Sequence, residues 1–273
     1  MTARFTGKNV LVTGGGTGIG QAIALAFAHE NATVAVAGCS AEPLTKTVKL
    51  IQASGGRAMA ITADITRSED VAKFMTDSAA AHGSLDIAVN SAGTLTAFGP
   101  VSDIDEDQWS TLVSVNLTGT LLSMKHKIGH LRRHGGGAII NIASCLGAHM
   151  RLAGLGGYVA TKAAVTALTR NAALDHISNG VRINAVSPGP VDTPMSYHPG
   201  ESRADRDARK QQQLPGRPRS RPRRDRRRGA LPGLTRSRLH HRHRPAHRRR
   251  SHRLTREWPR LCARQHPGRS WRS

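Results

Sequence analysis

From Val10 onward, short runs rich in Val, Ile and Ala alternate with longer stretches in which apolar and polar residues mix at helical spacing. The runs are Val10–Thr13, Thr33–Ala37, Ala58–Thr62, Leu85–Asn90, Ala138–Ile142 and Val181–Val186. Runs this apolar leave no side for solvent, so each is predicted to be a strand covered on both faces. Strands separated by helix-length segments predict an α/β fold, a doubly wound parallel sheet with helices on both sides. Pro43 fits the opening turn of one helix, with Gly55 or Gly56 past its end, and Ser68 before Glu69 and Asp70 predicts the cap of the next. A long helix is predicted from near Gly157 to Asn179, with Gly180 taking the left-handed position after it.

The alternation stops near Leu214, and charge changes there too. The formal net charge is +22, which taken alone points to nucleic acid or an anionic surface. Residues 1–200 are nearly neutral, with 15 Lys+Arg against 13 Asp+Glu, whereas residues 214–273 hold 21 against 2. The charge therefore describes a tail of Arg, Pro and His and says little about the body. Cys39, Cys145 and Cys262 are odd in number and far apart, which excludes a disulfide framework or a C-x-x-C zinc site and makes a reducing cytoplasm the expected location. No apolar run approaches the roughly 20 residues that span a bilayer, and the start shows no signal-peptide pattern. The expected organisation is a catalytic domain over residues 1–193, a substrate loop and helix over 194–213, and a disordered basic tail over 214–273.

Directly after the first strand the chain reads Thr13-Gly14-Gly15-Gly16-Thr17-Gly18-Ile19-Gly20, leading into a helical run from Gln21 to Asn31. Glycines let a backbone turn tightly against a pyrophosphate, whose charge the free N–H groups at a helix start favour. Alone, such a loop is weak evidence. Its T-G-x-x-x-G-x-G spacing resembles that of the short-chain dehydrogenase/reductase family, and further segments carry the same resemblance. Asn90-Ser91-Ala92-Gly93 matches three of four positions of the family's Asn-Asn-Ala-Gly, and Asp64-Ile65 follows the third strand where an Asp usually lies near adenine. In isolation Asp64 would equally well cap a turn. Ser187-Pro188-Gly189-Pro190-Val191-Asp192-Thr193 resembles the segment that lines the nicotinamide, with Thr193 placed for its carboxamide.

The resemblance implies NAD(P) as cofactor, held by Gly14, Gly16, Thr17, Gly18, Ile19, Gly20, Gly38, Cys39, Ser40, Asp64, Ile65, Asn90, Ala92, Gly93, Pro188, Gly189, Val191 and Thr193, with Tyr158 and Lys162 beside it. The second strand runs into Gly38-Cys39-Ser40, with no carboxylate to repel a 2′-phosphate. That leans the expectation to NADP, although Cys39 stands where NADP-dependent relatives often carry Arg.

Tyr158 and Lys162, four apart on the predicted helix, project from one face. A phenol with an ordinary pKa of about 10 is a poor base at neutral pH, and the Lys162 ammonium together with an oxidised nicotinamide is expected to favour its phenolate. A lowering of roughly 3 units takes about 4 kcal/mol and makes the phenol a proton carrier for hydride transfer. The family pattern adds Ser144, expected to hydrogen-bond the substrate oxygen, and Asn116, expected to support a proton path to the lysine. Asn116 by itself reads better as a solvent-facing helix residue. Ser91 and a stretch from Ser144 to Tyr158 one residue longer than usual depart from the pattern.

Together these features imply an oxidoreductase moving a hydride between NAD(P) and a secondary alcohol or ketone, with Tyr158 as general acid/base. The partner is a small molecule, and no metal or membrane is implied. The alternative is an inactive relative whose basic tail binds nucleic acid nonspecifically. Homodimers or homotetramers are implied as well, through helices that include the part of the chain the tail replaces.

The tail itself suggests its origin. Read one nucleotide later with full codon degeneracy, His240–Arg250 permits I-T-G-I-D-L-P-I-D-G, similar to the family's usual ending, and Pro222–Arg236 permits a helical P-E-E-I-A-A-A-V-L-Y-L-A-S-P. One inserted nucleotide near Pro215 or Gly216 accounts for both. The same shift explains His240, His241, His243 and His247 without a metal site. Loss of that helix and of a seventh strand predicts a chain that folds poorly or assembles abnormally, with the sixth strand left as an edge.

Overall fold

The structure, a computed structural model, describes residues 3–197 and 200–213. The expected disorder of 214–273 and the His cluster within it lie outside the described residues.

Six parallel strands form the sheet: β1 Asn9–Thr13, β2 Thr33–Gly38, β3 Arg57–Thr62, β4 Ile87–Asn90, β5 Gly137–Ile142 and β6 Val181–Val186, in the order β3-β2-β1-β4-β5-β6. Small and β-branched residues fill the central strands, which are covered on both faces, and β2 is buried along nearly its whole length. The two edge strands differ from the expected cover on both faces: β6 alternates buried and partly or fully exposed positions, and β3 has one buried residue, Ile61. On one face Val10, Val12, Val34 and Val36 pack with Ala24 of α1 (Gly18–His29) and with Leu44 and Ile51 of α2 (Ala41–Ala53). On the other face Leu11, Ala35, Ala88 and Ile139 pack with Phe74 of α3 (Ser68–His82) and with residues of later helices. Those helices are α5 (Gly119–Arg133), which supplies Met124 and Leu131, and α7 (Gly156–His176), which supplies Ala172. Between α3 and α5 lie α4 (Glu106–Val113) and a π-helical turn, Ser114–Thr118. A short kinked α6 (Cys145–Ala148) precedes α7, and α8 (Arg203–Gln213) is the last described element. Among the described residues no helix is long and apolar enough to cross a membrane.

The fold class and the six predicted strands match, and the differences are local. β4 begins at Ile87 rather than Leu85. Leu85 N–H donates to His130 Nε2 at 3.2 Å, while the Asp86 carboxylate accepts from Asn9 N–H at 2.9 Å and from Lys8 Nζ at 2.8 Å. Ser68 is not a cap. It is the first residue of α3, whose N-cap Arg67 makes no side-chain cap bond, and Ser68 Oγ instead meets His126 Nε2 at 2.9 Å. The first helix starts three residues earlier than Gln21 and stops at His29, with Asn31 beyond it at φ +64°. The long helix ends in a short 3₁₀ turn, Ile177–Asn179, and Gly180 takes the left-handed conformation at φ +74°.

The strand order reverses between β1 and β4, where Thr13 stands opposite Asn90. A crevice opens at such a switch point, outside the carboxyl ends of the strands.

Candidate active site

The floor of this crevice is the glycine turn between β1 and α1. Gly14 has φ +67°, and a Cβ there would stand 2.7 Å from the Ala92 backbone, so the turn closes against Asn90–Gly93 only because the residue is glycine. At Gly20 a Cβ would come within 2.1 Å of the Gly14 carbonyl oxygen. The first turn of α1 has neither a side-chain cap nor an acidic residue, which leaves its N–H groups and positive dipole end facing the crevice. An uncapped, glycine-lined helix start fits a dinucleotide pyrophosphate. Thr193, leading a 3₁₀ turn over Pro194–Ser196, lies across this floor: a Cβ on Gly18 would be 3.3 Å from its side chain. Cys145 N–H donates to the Pro188 carbonyl at 2.9 Å, tying the Pro-Gly segment to the end of β5.

At the outer end of the crevice, Gly38 ends β2, Cys39 is exposed and Ser40 is the N-cap of α2. The Asp64 carboxylate closes a turn, accepting from Thr66 N–H at 2.9 Å and Thr66 Oγ1 at 2.8 Å, the capping role open to it from sequence. Ile65 turns inward, its side chain against the bare Cα of Gly119.

Four polar residues gather at the other end. Asn116 is fully buried in the π-helical turn, which excludes the solvent-facing alternative. Its Oδ1 accepts from Thr94 N–H at 2.8 Å, and its Nδ2 donates to the Thr94 carbonyl at 3.0 Å and to Thr161 Oγ1 at 3.3 Å. Wide turns of this kind concentrate at functional sites because they turn a helix's side chains and carbonyls out of register. Lys162 is buried and donates to the Ile142 carbonyl at 3.0 Å. Asn116 Oδ1 and Lys162 Nζ both lie against Gly93, at 3.2 and 3.5 Å from where its Cβ would be. Ser144, just past β5, caps α6 by accepting from Leu146 N–H at 3.1 Å. Gly147, at φ +103°, lets α6 rest on α7 itself, since a Cβ would be 2.7 Å from the Val159 carbonyl oxygen.

Burial holds the Tyr158 phenol above its usual value, a hydrogen bond with the Ser144 side chain opposes this, and the Cys145 thiol adds to it. Lys162 Nζ is 5.7 Å from the Tyr158 ring centroid and directed to the Ile142 carbonyl, and burial brings the lysine itself down to about 8. Desolvation is the largest influence on the phenol. Thr94, Thr161 and the Ile142 carbonyl are not singled out by the sequence, although Thr94 directly follows Gly93 and Thr161 directly precedes Lys162.

The segment over the crevice is fixed by two arginines of α8 that the sequence also left unmarked. Arg206, nearly buried, donates to Ser196 Oγ at 2.8 Å and pairs with Asp192 at 3.3 Å, with its guanidinium 4.8 Å from the Tyr197 ring centroid. Arg209 makes two bonds to Glu201 at 2.7 Å. Tyr197 Oη donates to Asp192 Oδ1 at 3.0 Å, and Met195 is exposed. His198 lies outside the described residues. Among the described residues no cluster of His, Cys, Asp and Glu could hold a metal ion.

Comparison with known proteins agrees with this arrangement. The family model for short chain dehydrogenases matches residues 8–203. Cis-4-hydroxycyclohexanecarboxylate dehydrogenase of Sinomonas cyclohexanicum is 37% identical over 195 residues, 71% of this chain and 78% of that one. Cyclohexanol dehydrogenase of Acinetobacter sp. strain SE19 is 36% identical over 195 residues, 71% of this chain and 77% of that one. The NAD⁺-bound structure of a xylitol dehydrogenase superposes with a TM-score of 0.66 at 33% identity, covering 68% of this chain and 71% of that one. The chain therefore belongs to the short-chain dehydrogenase/reductase family and is an NAD(P)-dependent oxidoreductase of that family.

Proposed function

We propose that the protein interconverts a carbocyclic secondary alcohol and its ketone, with Tyr158 as the general acid/base. The observation that supports this reading is that Asn116 and Lys162 lie against Gly93 while the Tyr158 ring is 5.7 Å from Lys162 Nζ and its phenol is hydrogen-bonded with Ser144. The ring-alcohol substrate class is supported by the two relatives whose names specify cyclohexane alcohols. When bound, NAD(P) supplies the hydride acceptor for oxidation or the donor for reduction. Gly14, Gly16, Thr17, Gly18, Ile19 and Gly20 would hold its pyrophosphate, Asn90, Ala92 and Gly93 its inner ribose, and Pro188, Gly189, Val191 and Thr193 its carboxamide end. Gly38, Cys39, Ser40, Asp64 and Ile65 would border the adenosine, and the lack of a carboxylate at Gly38-Cys39-Ser40 favours NADP over NAD.

Ser144 Oγ holds the substrate oxygen against Tyr158 Oη. In oxidation Tyr158 Oη takes the hydroxyl proton as the carbonyl forms, and in reduction it returns that proton. Lys162, with Asn116 behind it, carries the proton onward toward solvent. A reducing cytoplasm is part of this reading, supported by the free thiols of Cys39 and Cys145. The test is absorbance at 340 nm with cyclohexanol, 4-hydroxycyclohexanecarboxylate and their ketones. Turnover lost in Tyr158→Phe, with NADPH bound more tightly than NADH, is expected. A folded protein that binds neither nicotinamide overturns the proposal.

A further inference from the structure

The inward face of α5 and of the turn before it is unusually polar. Asn116, Thr120, Ser123, Lys127 and His130 recur every three or four residues, and all are buried. Lys127 stands out among them, because it has no exposed surface and burial alone pushes its ammonium down, with no charged neighbour acting on it. Its Nζ lies 5.5 Å from the centroid of the Phe74 ring of α3. Its hydrogen-bond acceptor is Asn90 Oδ1, the side chain that ends β4. Asn90 Nδ2 then donates to Asn141 Oδ1 of β5 at 2.7 Å, and Asn141 Nδ2 donates to Thr169 Oγ1 of α7 at 2.8 Å. This buried chain joins the strand before Gly93, the strand before Ser144 and the helix that carries Tyr158 and Lys162. Ser123 Oγ, one helical turn before Lys127, is buried without a partner, so the interior here is more polar than packing requires.

Fold stability does not explain an unpaired ammonium in a core, since an apolar side chain of the same length fills the space without desolvating a charge. We propose that Lys127 is a positioning residue. Its bond fixes the Asn90 amide, and through it the Asn90–Thr94 turn against Asn116 and Lys162. Asn90 can accept from Lys127 and donate to Asn141 in only one orientation of its amide, so the ammonium selects that orientation. The inference rests on the oxidoreductase reading only for its kinetic consequence.

The test compares Lys127→Met and Lys127→Gln with the unaltered full chain, by steady-state kinetics with cyclohexanol, hydrogen exchange and thermal melts at pH 6. Lys127→Met is expected to melt higher, because a buried charge is gone, yet to lose about ten- to a hundredfold in kcat with KM for the dinucleotide within about twofold. Amide exchange over residues 91–95 is expected to speed up about tenfold in the same variant, against the trend of the melt. Lys127→Gln, which keeps an N–H donor, is expected to recover part of both. A folded Lys127→Met with unchanged kcat and unchanged exchange over 91–95 overturns the proposal. Equal losses in folded Met and Gln variants also overturn it, because they mark a role in filling space. A folded, unaltered chain that binds neither nicotinamide ends the oxidoreductase reading alone, since the exchange measurement judges Lys127 without turnover.

Discussion

Tyr158, Lys162 and Lys127 are all driven toward their neutral forms by the burial that gathers them. For Tyr158 this makes the phenol a proton donor ready for ketone reduction, and its removal is the sharpest single change available. Tyr158→Phe is expected to lower kcat by about 10²- to 10⁴-fold while leaving the melting temperature nearly unchanged, as steady-state assays and a thermal scan will measure. The lysines make stability depend on pH. Lys127 falls from the usual 10.5 to about 7 and Lys162 to about 8, so between those values and 10.5 the unfolded chain binds protons that the folded chain does not. Unfolding free energy should therefore rise from pH 6.5 to pH 9, by on the order of a few kcal/mol, in urea melts. His130, lowered chiefly by burial, adds a loss of stability as pH falls below 6.5. A flat profile from pH 6.5 to 9 contradicts this. Tyr158 and Lys162 were marked by their four-residue spacing, whereas Ser144 and Asn116 were marked only by the family resemblance. Lys127 was not marked, because the last of three polar letters between Met124 and Ile128, after Lys125 and His126, looks like an ordinary exposed helix position until the helix is seated on the sheet.

At the scale of elements, the sheet was readable because strands buried on both faces must be apolar throughout. β2 is the clearest case, buried from Thr33 to Ala37. Strand and helix ends were less legible where a side chain from a distant segment meets them, as His130 does before β4 and His126 does at Ser68. The π-helical turn had no sequence signal at all, because one extra residue in a helical turn shifts the spacing by less than composition can register. The glycine turn carries the most constraint for its length. Gly14→Ala would set a Cβ 2.7 Å from the Ala92 backbone at φ +67°, so it is expected to weaken dinucleotide binding more than tenfold. The same change should cost about 1–3 kcal/mol of stability, read by nucleotide fluorescence titration and urea melts. Gly147→Ala should act differently: it separates α6 from α7 and so lowers kcat more than it weakens the dinucleotide.

For the whole molecule, the decisive feature is where the family's pattern stops. Among the described residues β6 pairs only with β5, and beside it Leu174, Ile177 and Val186 are exposed at 78%, 59% and 50%. A groove of about 650 Å³ runs between α7 and β6, lined by Thr166, Arg170, Ala173, Ile183 and Ala185 among others. The shifted reading of residues 222–250 permits an apolar helix and a further ending similar to the family's, the kind of elements that cover such a surface. Deleting one nucleotide at the Pro215 or Gly216 codon should then add about 3–4 kcal/mol and raise the melting temperature by roughly 10 °C. Sequencing the genomic DNA across those codons shows whether the shift lies in the gene. The most direct measurement is the change in absorbance at 340 nm when this chain, its frame-restored form and the restored Tyr158→Phe variant meet cyclohexanol with NADP⁺ and NAD⁺. Turnover by the restored form that disappears with the phenol supports a tyrosine-dependent hydride transfer. A folded, restored protein that leaves both nicotinamides unbound and unreduced contradicts it.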